Sequence, residues 1–176
     1  MATTSTRLMT FEEFEKFPDH PHGLRYELRH GELFLLPPPI HKHYRIQHRL
    51  IRLLGRTAGS AGEVGTEFGF RPRGDRDYRI ADVVFLAKER WDSIDKYLAG
   101  SPDLVVEVLS PSNTETEIRD KQKLCLENGS REFWIVDTDL REVEVSTADG
   151  RAVIYKSGQE IPLFFGGRIA VDEIFS

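Results

Sequence analysis

The sequence predicts an α+β fold: a mixed central β-sheet flanked by helices, with an N-terminal β-hairpin and a small C-terminal β extension. Helical period holds over residues 43–57 and 115–128, and strand texture fills 64–70, 80–86 and 104–109. The last two of these strands are almost continuously apolar, which marks them as central. With 176 residues, 39% of them hydrophobic, and no repeat or linker-like tract, the chain reads as a single domain over 1–176.

Each element follows from a local signal. Thr10 and Glu13 have capping-box spacing and Pro18 comes soon after, so a short helix is expected over residues 11–16. Leu24, Tyr26 and Leu28 alternate with Arg25, Glu27 and Arg29; after His30-Gly31 the run 32–36 returns as a second strand, stopped by Pro37, Pro38 and Pro39. Ile46, Leu50, Leu53 and Leu54 share one face of the helix over 43–57. Residues 88–99 are expected to hold a short helix between two central strands. The helix over 115–128 ends at Gly129, a C′ glycine, and the strand 132–137 follows at once. Strands at 142–145 and 152–155 flank an Asp149-Gly150 turn, and residues 161–176 are expected as edge strands and a closing turn.

Charge and cysteine content exclude several classes. The 29 Asp and Glu residues outnumber the 24 Lys and Arg residues, so the net charge of -5 leaves no bulk attraction to nucleic acid, and a polyanion must be gripped locally. Cys125 is the one cysteine, which rules out an intrachain disulfide and a multi-cysteine zinc site and fits a cytoplasmic protein. The longest apolar run, residues 83–87, is far below the roughly 18 residues of a membrane span. The start, MATTSTRLMTFEEF, lacks the regions of an export signal. No GxGxxG, P-loop or GxSxG motif occurs.

Two acids sit inside apolar strands: Asp82 in IADVVFL and Glu107 in DLVVEVL. A buried carboxylate is costly unless paired, hydrogen-bonded or metal-bound, so each calls for a partner: an arginine, solvent at an edge strand, or a shared site. Asp103 is a rival to Asp82, but four residues at about 3.3 Å each put it roughly 13 Å from Glu107, too far to share an ion. It is expected to mark strand entry.

A lysine completes the set. On the helix over 115–128, with Ile118 at zero, Lys121 falls at about -60°, between Cys125 and Leu124 on the apolar arc, whereas Lys123 at about +140° faces away. An ammonium aimed at the core needs an anion or loses its proton. Two carboxylates suit a hard divalent cation, and a neighbouring lysine orients water and stabilises charge on a phosphoryl group. A buried Lys-Glu pair without catalysis, or a snorkelling lysine, has the same pattern.

Arg45, Arg49, Arg52 and Arg56 follow spacings of four, three and four along one helical face, away from the leucines. With Lys42 and no acid, residues 41–56 carry +5 and leave -10 on the rest. Arg71, Arg73, Arg76 and Arg79 form a second basic segment. Both segments offer forks for phosphate, and a solvated charged face has the same spacing. His41, His43 and His48 lack zinc spacing, but His43 falls on the apolar side of its helix, as a core histidine or a support to the metal ligands.

The ordered set of YELRHGELFLLPPP with His43 downstream, ADVVFL, PDLVVEVLSPS, an acid-x3-Lys on the next helix and GSREFWIVD resembles the PD-(D/E)XK nuclease superfamily, and within it the Uma-type branch of restriction-endonuclease-like proteins. The resemblance spans nearly the whole chain, from TFEEF to DEIF. It implies that Asp82 and Glu107 stand for the motif's two acids. The lysine expected two residues after Glu107 is replaced by Leu109, and Lys121 matches the migrated lysine of this branch. Glu27 and Glu32 match recurrent acids, either of which could reach the metal or orient the site, with Glu27 ranked first. Departures are Ala81 for the motif proline, His30 for a turn acid, and Cys125 where the branch tends to have tyrosine.

The functional expectation is a Mg²⁺- or Mn²⁺-dependent endonuclease that hydrolyses DNA phosphodiesters. Asp82, Glu107 and the carbonyl of Val108 are the expected metal ligands; Asp82, Glu107, Lys121 and Glu27 form the expected catalytic set; Glu32 and His43 support it; Arg45, Arg49, Arg52 and Arg56 contact the nucleic acid. A homodimer is expected, since small nucleases that cut two strands often work in pairs. The alternative is a catalytically inactive nuclease-fold binding or assembly module, which the acidic net charge and Cys125 favour.

Overall fold

The computed structural model describes residues 7–20, 22–111 and 113–176. Residues 1–6, on which the reading of the chain's start partly rests, and Ser112 of the LSPS segment lie outside the described residues. Helix α1 (Phe11–Glu15) starts at Thr10, whose side chain accepts from the Glu13 N–H while the Glu13 carboxylate accepts the Thr10 N–H at 2.9 Å. Strands β1 (Arg25–Arg29) and β2 (Glu32–Leu36) form a separate two-stranded sheet. Its turn puts both His30 and Gly31 at positive φ, 51° and 88°, the geometry a two-residue hairpin loop demands.

Helix α2 (His41–Ala58) buries Ile46, Leu50, Leu53 and Leu54. It is followed by β3 (Gly62–Arg71), β4 (Arg79–Ala87), the short α3 (Lys88–Asp92), β5 (Leu98–Ala99) and β6 (Leu104–Val108). Then come α4 (Glu115–Glu127), β7 (Glu132–Asp137), β8 (Glu142–Thr147) and β9 (Ala152–Tyr155). The chain closes with β10 (Glu160–Pro162), β11 (Arg168–Ala170) and α5 (Val171–Phe175).

Seven strands make one mixed sheet in the order β5-β3-β4-β6-β7-β8-β9, with β6-β7 and β3-β5 parallel and the other neighbours antiparallel. Strand alternation divides the core in two. Val83, Phe85, Val106, Val108 and Trp134 pack with the leucines of α2 and with Ile174 of α5. Val84, Leu86, Val105, Phe133 and Ile135 pack on the opposite face with Ile118 and Cys125 of α4. β4 and β6 are buried on both faces, which explains their unbroken apolar runs.

The short helix expected within residues 88–99 is α3, which ends at Asp92; beyond it Leu98, 5% exposed, is drawn into the sheet as a two-residue strand beside Phe70 of β3. One expectation is corrected. The tail does not extend the main sheet: β10 and β11 pair only with each other, and it ends in α5, whose Val171, Ile174 and Phe175 are buried. No helix among the described residues is long and apolar enough to cross a membrane.

Candidate active site

The antiparallel register of β4 and β6 pairs Val83 with Val106, so the next residues outward, Asp82 and Glu107, end up side by side at one end of the sheet. Asp82 Oδ2 accepts the Val108 N–H at 2.7 Å, and Asp82 Oδ1 lies 3.1 Å from both Gln47 Nε2 and His43 Nε2. His43 and Gln47 come from successive turns of α2, four residues apart, on its buried face. A strand residue turns its N–H and C=O the same way, so the Val108 carbonyl also faces this side.

Lys121 enters from the opposite layer. Its ammonium, buried to 7% exposure, donates to the Ile80 carbonyl at 2.6 Å and to Glu27 at 3.4 Å, and stands 2.8 Å from Glu107 Oε1. Glu107 Oε1 is thus buried against the ammonium as an ion pair, and His43 Nε2 is buried beside Asp82 Oδ1. Helix α4 can aim a lysine here because its start is fixed by Thr114 and Glu117, which cap each other.

The hairpin supplies the third acid. Leu28 and Tyr78 exchange both backbone hydrogen bonds at 2.9 Å, docking β1 beside the entry to β4. This sets Glu27 under Ile80, whose N–H donates to Glu27 Oε1 at 2.7 Å. Arg29 then bridges Glu27 and Glu117 of α4, each at 2.7 Å, tying the hairpin to the lysine-bearing helix. Glu32 does not join the group. It is exposed nearer the turn, beside a separate cavity lined by Arg29, His30, Arg79 and Asp120.

Charge balance follows from burial. Burial pushes the Glu107 carboxyl up to about 8, with Asp82 adding to the shift and Lys121 opposing it. Burial also opposes the charge on Lys121, but Glu107 and Glu27 outweigh it and hold the ammonium above its usual range. At Glu27 desolvation is likewise overcome, by Lys121, Arg29 and the Ile80 N–H, so its carboxyl stays below the ordinary range. Lys121 therefore stays charged between Glu27 and Glu107, and Glu107 is the weaker acid of the two. Cys125, deep behind the lysine, is pushed by burial up to about 12 and stays a thiol.

Two residues of this cluster carried no flag in the sequence. Gln47 Nε2 donates to Glu67 as well as to Asp82, and Glu67 also pairs with Arg25. Glu67 stands in β3 beside Asp82 at φ 53°, a left-handed conformation that costs a non-glycine residue energy and recurs at functional sites. Gln47 was detectable as a polar residue on the buried stripe of α2. Nothing in the β3 sequence marks Glu67.

Other expected residues lie elsewhere. Asp103 is at the far end of β6, bound to Arg90 and to the Ala87 N–H, both at 2.9 Å. The arginines of α2 face outward, and Arg56 meets Glu173 at 3.4 Å. Arg79, read as part of a basic segment, is 2% exposed and held by Asp77 and Asp120, so it offers no fork to a ligand.

No group of three His, Cys, Asp or Glu side chains among the described residues forms a metal cage. Magnesium does not need one: it keeps several waters and takes one or two carboxylates. Asp82 and Glu107 line a cavity of about 290 Å³, and their carboxylates, with the Val108 carbonyl on the Asp82 side of β6, are hard oxygen donors that fit such an ion.

The mixed sheet thus carries two acids on adjacent strands and meets a buried lysine from the following helix. The fold matches the crystal structure of a "putative nuclease belonging to DUF820" from Anabaena variabilis ATCC 29413, with a TM-score of 0.82 and 21% identity over 95% of this chain and 97% of that one. Residues 11–168 match the family model described as "Uma2: Putative restriction endonuclease", and the chain belongs to that family. No curated protein matches it.

Proposed function

We propose that the protein is a Mg²⁺- or Mn²⁺-dependent endonuclease that hydrolyses phosphodiester bonds in DNA. The observation that carries this reading is the buried Lys121 ammonium set between Glu27 and Glu107 beside Asp82. Asp82, Glu107 and the Val108 carbonyl would hold the cation, which supplies Lewis-acid polarisation of the phosphoryl oxygen and a more acidic water. Lys121, kept charged by Glu27, stabilises negative charge on the phosphoryl group and orients the attacking water. Glu27 acts through Lys121 and is a positioning residue. Gln47 and the Val108 N–H hold the Asp82 carboxylate, with His43 packed beside it. A homodimer would present two such sites to the two strands of a duplex.

The test is plasmid nicking in Mg²⁺ or Mn²⁺. Lys121→Ala and Glu107→Ala should each reduce it by about 100-fold or more. Nicking untouched by both changes would exclude this site.

One observation favours the non-catalytic alternative. Lys121 is met by two carboxylates, as in a structural ion-pair cluster. If neither Mn²⁺ raises the unfolding temperature nor duplex DNA is retained at low salt, the binding or assembly reading replaces the enzyme.

A further inference from the structure

The outer face of α2 and the β7–β8 turn meet over a further cavity of about 170 Å³, lined by Lys42, Arg45, Arg49 and Arg141 and floored by Ile46 and Phe175. Asp139 is the acid at its rim, 2.5 Å from Lys42. Among the described residues Arg45, Arg49 and Arg141 form no ion pair, although arginines 56, 79, 90 and 119 of the same chain each meet a carboxylate. Like charges gathered at one cavity repel; Asp139 beside Lys42 and Asp172 acting on Arg141 offset part of that repulsion, and a bound anion would relieve the rest.

The turn is built to hold Arg141 there. Asp137 Oδ1 accepts the N–H groups of Asp139 and Leu140, both at 2.8 Å, which locks residues 138–141. Arg141 then takes φ 55°, where glycine would fit without strain, and its guanidinium lies 5.5 Å above the Phe175 ring. A planar fork over an aromatic floor suits phosphate oxygens. The charge also continues beyond the cavity. Arg45, Arg49 and Arg52 lie on successive turns of α2 and span about 10 Å, more than one phosphate occupies. His43 of the same helix faces inward to the candidate active site.

We propose that this cavity is a phosphate-anchoring subsite for a nucleic-acid backbone that crosses α2, with Arg141 as the clamp contributed by the β7–β8 turn. It rests on the nuclease reading and adds the path of the substrate outside the cutting site.

The test is fluorescence anisotropy of a labelled 24-base-pair duplex with the full chain in EDTA, across a salt series. Arg141→Gly suits the positive φ, so its unfolding temperature should hold. The duplex should bind about 5- to 10-fold more weakly at 0.1 M salt, and the slope of log K against log salt should fall by about one. Arg141→Lys should keep most of the slope, and Arg168→Ala, at an exposed arginine paired with Glu160, should change neither. An unchanged slope in Arg141→Gly, or no duplex retention by the wild type, overturns the subsite. Inorganic phosphate that competes at the same total phosphate concentration would also overturn it, in favour of a single-phosphate ligand. A wild type that nicks plasmid but whose binding ignores Arg141 loses the subsite and keeps the nuclease reading. Arg141-dependent binding without any nicking does the reverse.

Discussion

Lys121 Nζ lies 2.8 Å from Glu107 Oε1, a contact between a helix on one face of the sheet and a strand at its centre. Neither group is solvated, so each is the main relief for the other's burial. Glu27 makes the arrangement asymmetric: it matches the ammonium charge and leaves Glu107 the weaker acid.

Removal of the lysine should therefore be costly. Lys121→Ala leaves two buried carboxylates facing each other and is expected to lower stability by about 3–5 kcal/mol in urea unfolding. The double variant Lys121→Met with Glu27→Leu should lose clearly less than the sum of its singles, because the charges leave together.

Cation binding should depend on pH through Glu107. Its carboxyl is raised from 4.5 to about 8 in the fold, so below about 8 a bound cation must displace a proton. Mn²⁺ affinity is expected to climb by up to about tenfold per pH unit and to level off above about pH 8. Calorimetry in two buffers of different ionisation enthalpy should read close to one proton released at pH 7. The same raised value gives the cation-free chain a stability contribution that is complete below 4.5 and lost as pH rises through about 8.

Glu67 separates stability from function. Glu67→Gly removes the strain of its positive φ, about 1 kcal/mol, and gives up a partly exposed pair with Arg25 worth about as much. Thermal unfolding should move little. Nicking should fall, because Gln47 loses one of the two carboxylates it spans and holds Asp82 less firmly.

Cys125 should be silent to thiol reagents. It is fully buried, with its thiol pushed up to about 12, so the folded chain at pH 8 should resist alkylation on a timescale that labels the urea-unfolded chain at once. Rapid labelling of the folded protein would contradict the packing behind Lys121.

The parts of the site legible in the sequence were charges that broke an apolar pattern. Asp82, Glu107 and Lys121 each interrupt a run whose period assigns it to the core, and the structure brings these three together. Glu27 and Glu32 could not be separated in that way. Both lie on one face of the hairpin, across from Phe34 and Arg29 respectively, and only the docking of Leu28 on Tyr78 moves one inward and leaves the other at the turn. Glu67 was hidden because its role depends on a backbone excursion that β propensity does not encode. The central strands were plain from their apolar runs; the two-residue β5 was not, since one buried leucine is too short a signal.

The N-terminal hairpin is a sheet of its own, and its attachments to the body include the Leu28–Tyr78 bridge, Glu27 under Ile80 and Arg29 reaching Glu117. One of these runs through the acid that balances Lys121, and Arg29 pairs with that acid as well. Occupancy of the site and seating of the hairpin are therefore reciprocal: whatever firms one must firm the other by the same free energy. Amide exchange in β1 and β2 would report, at a distance, whether the centre is filled.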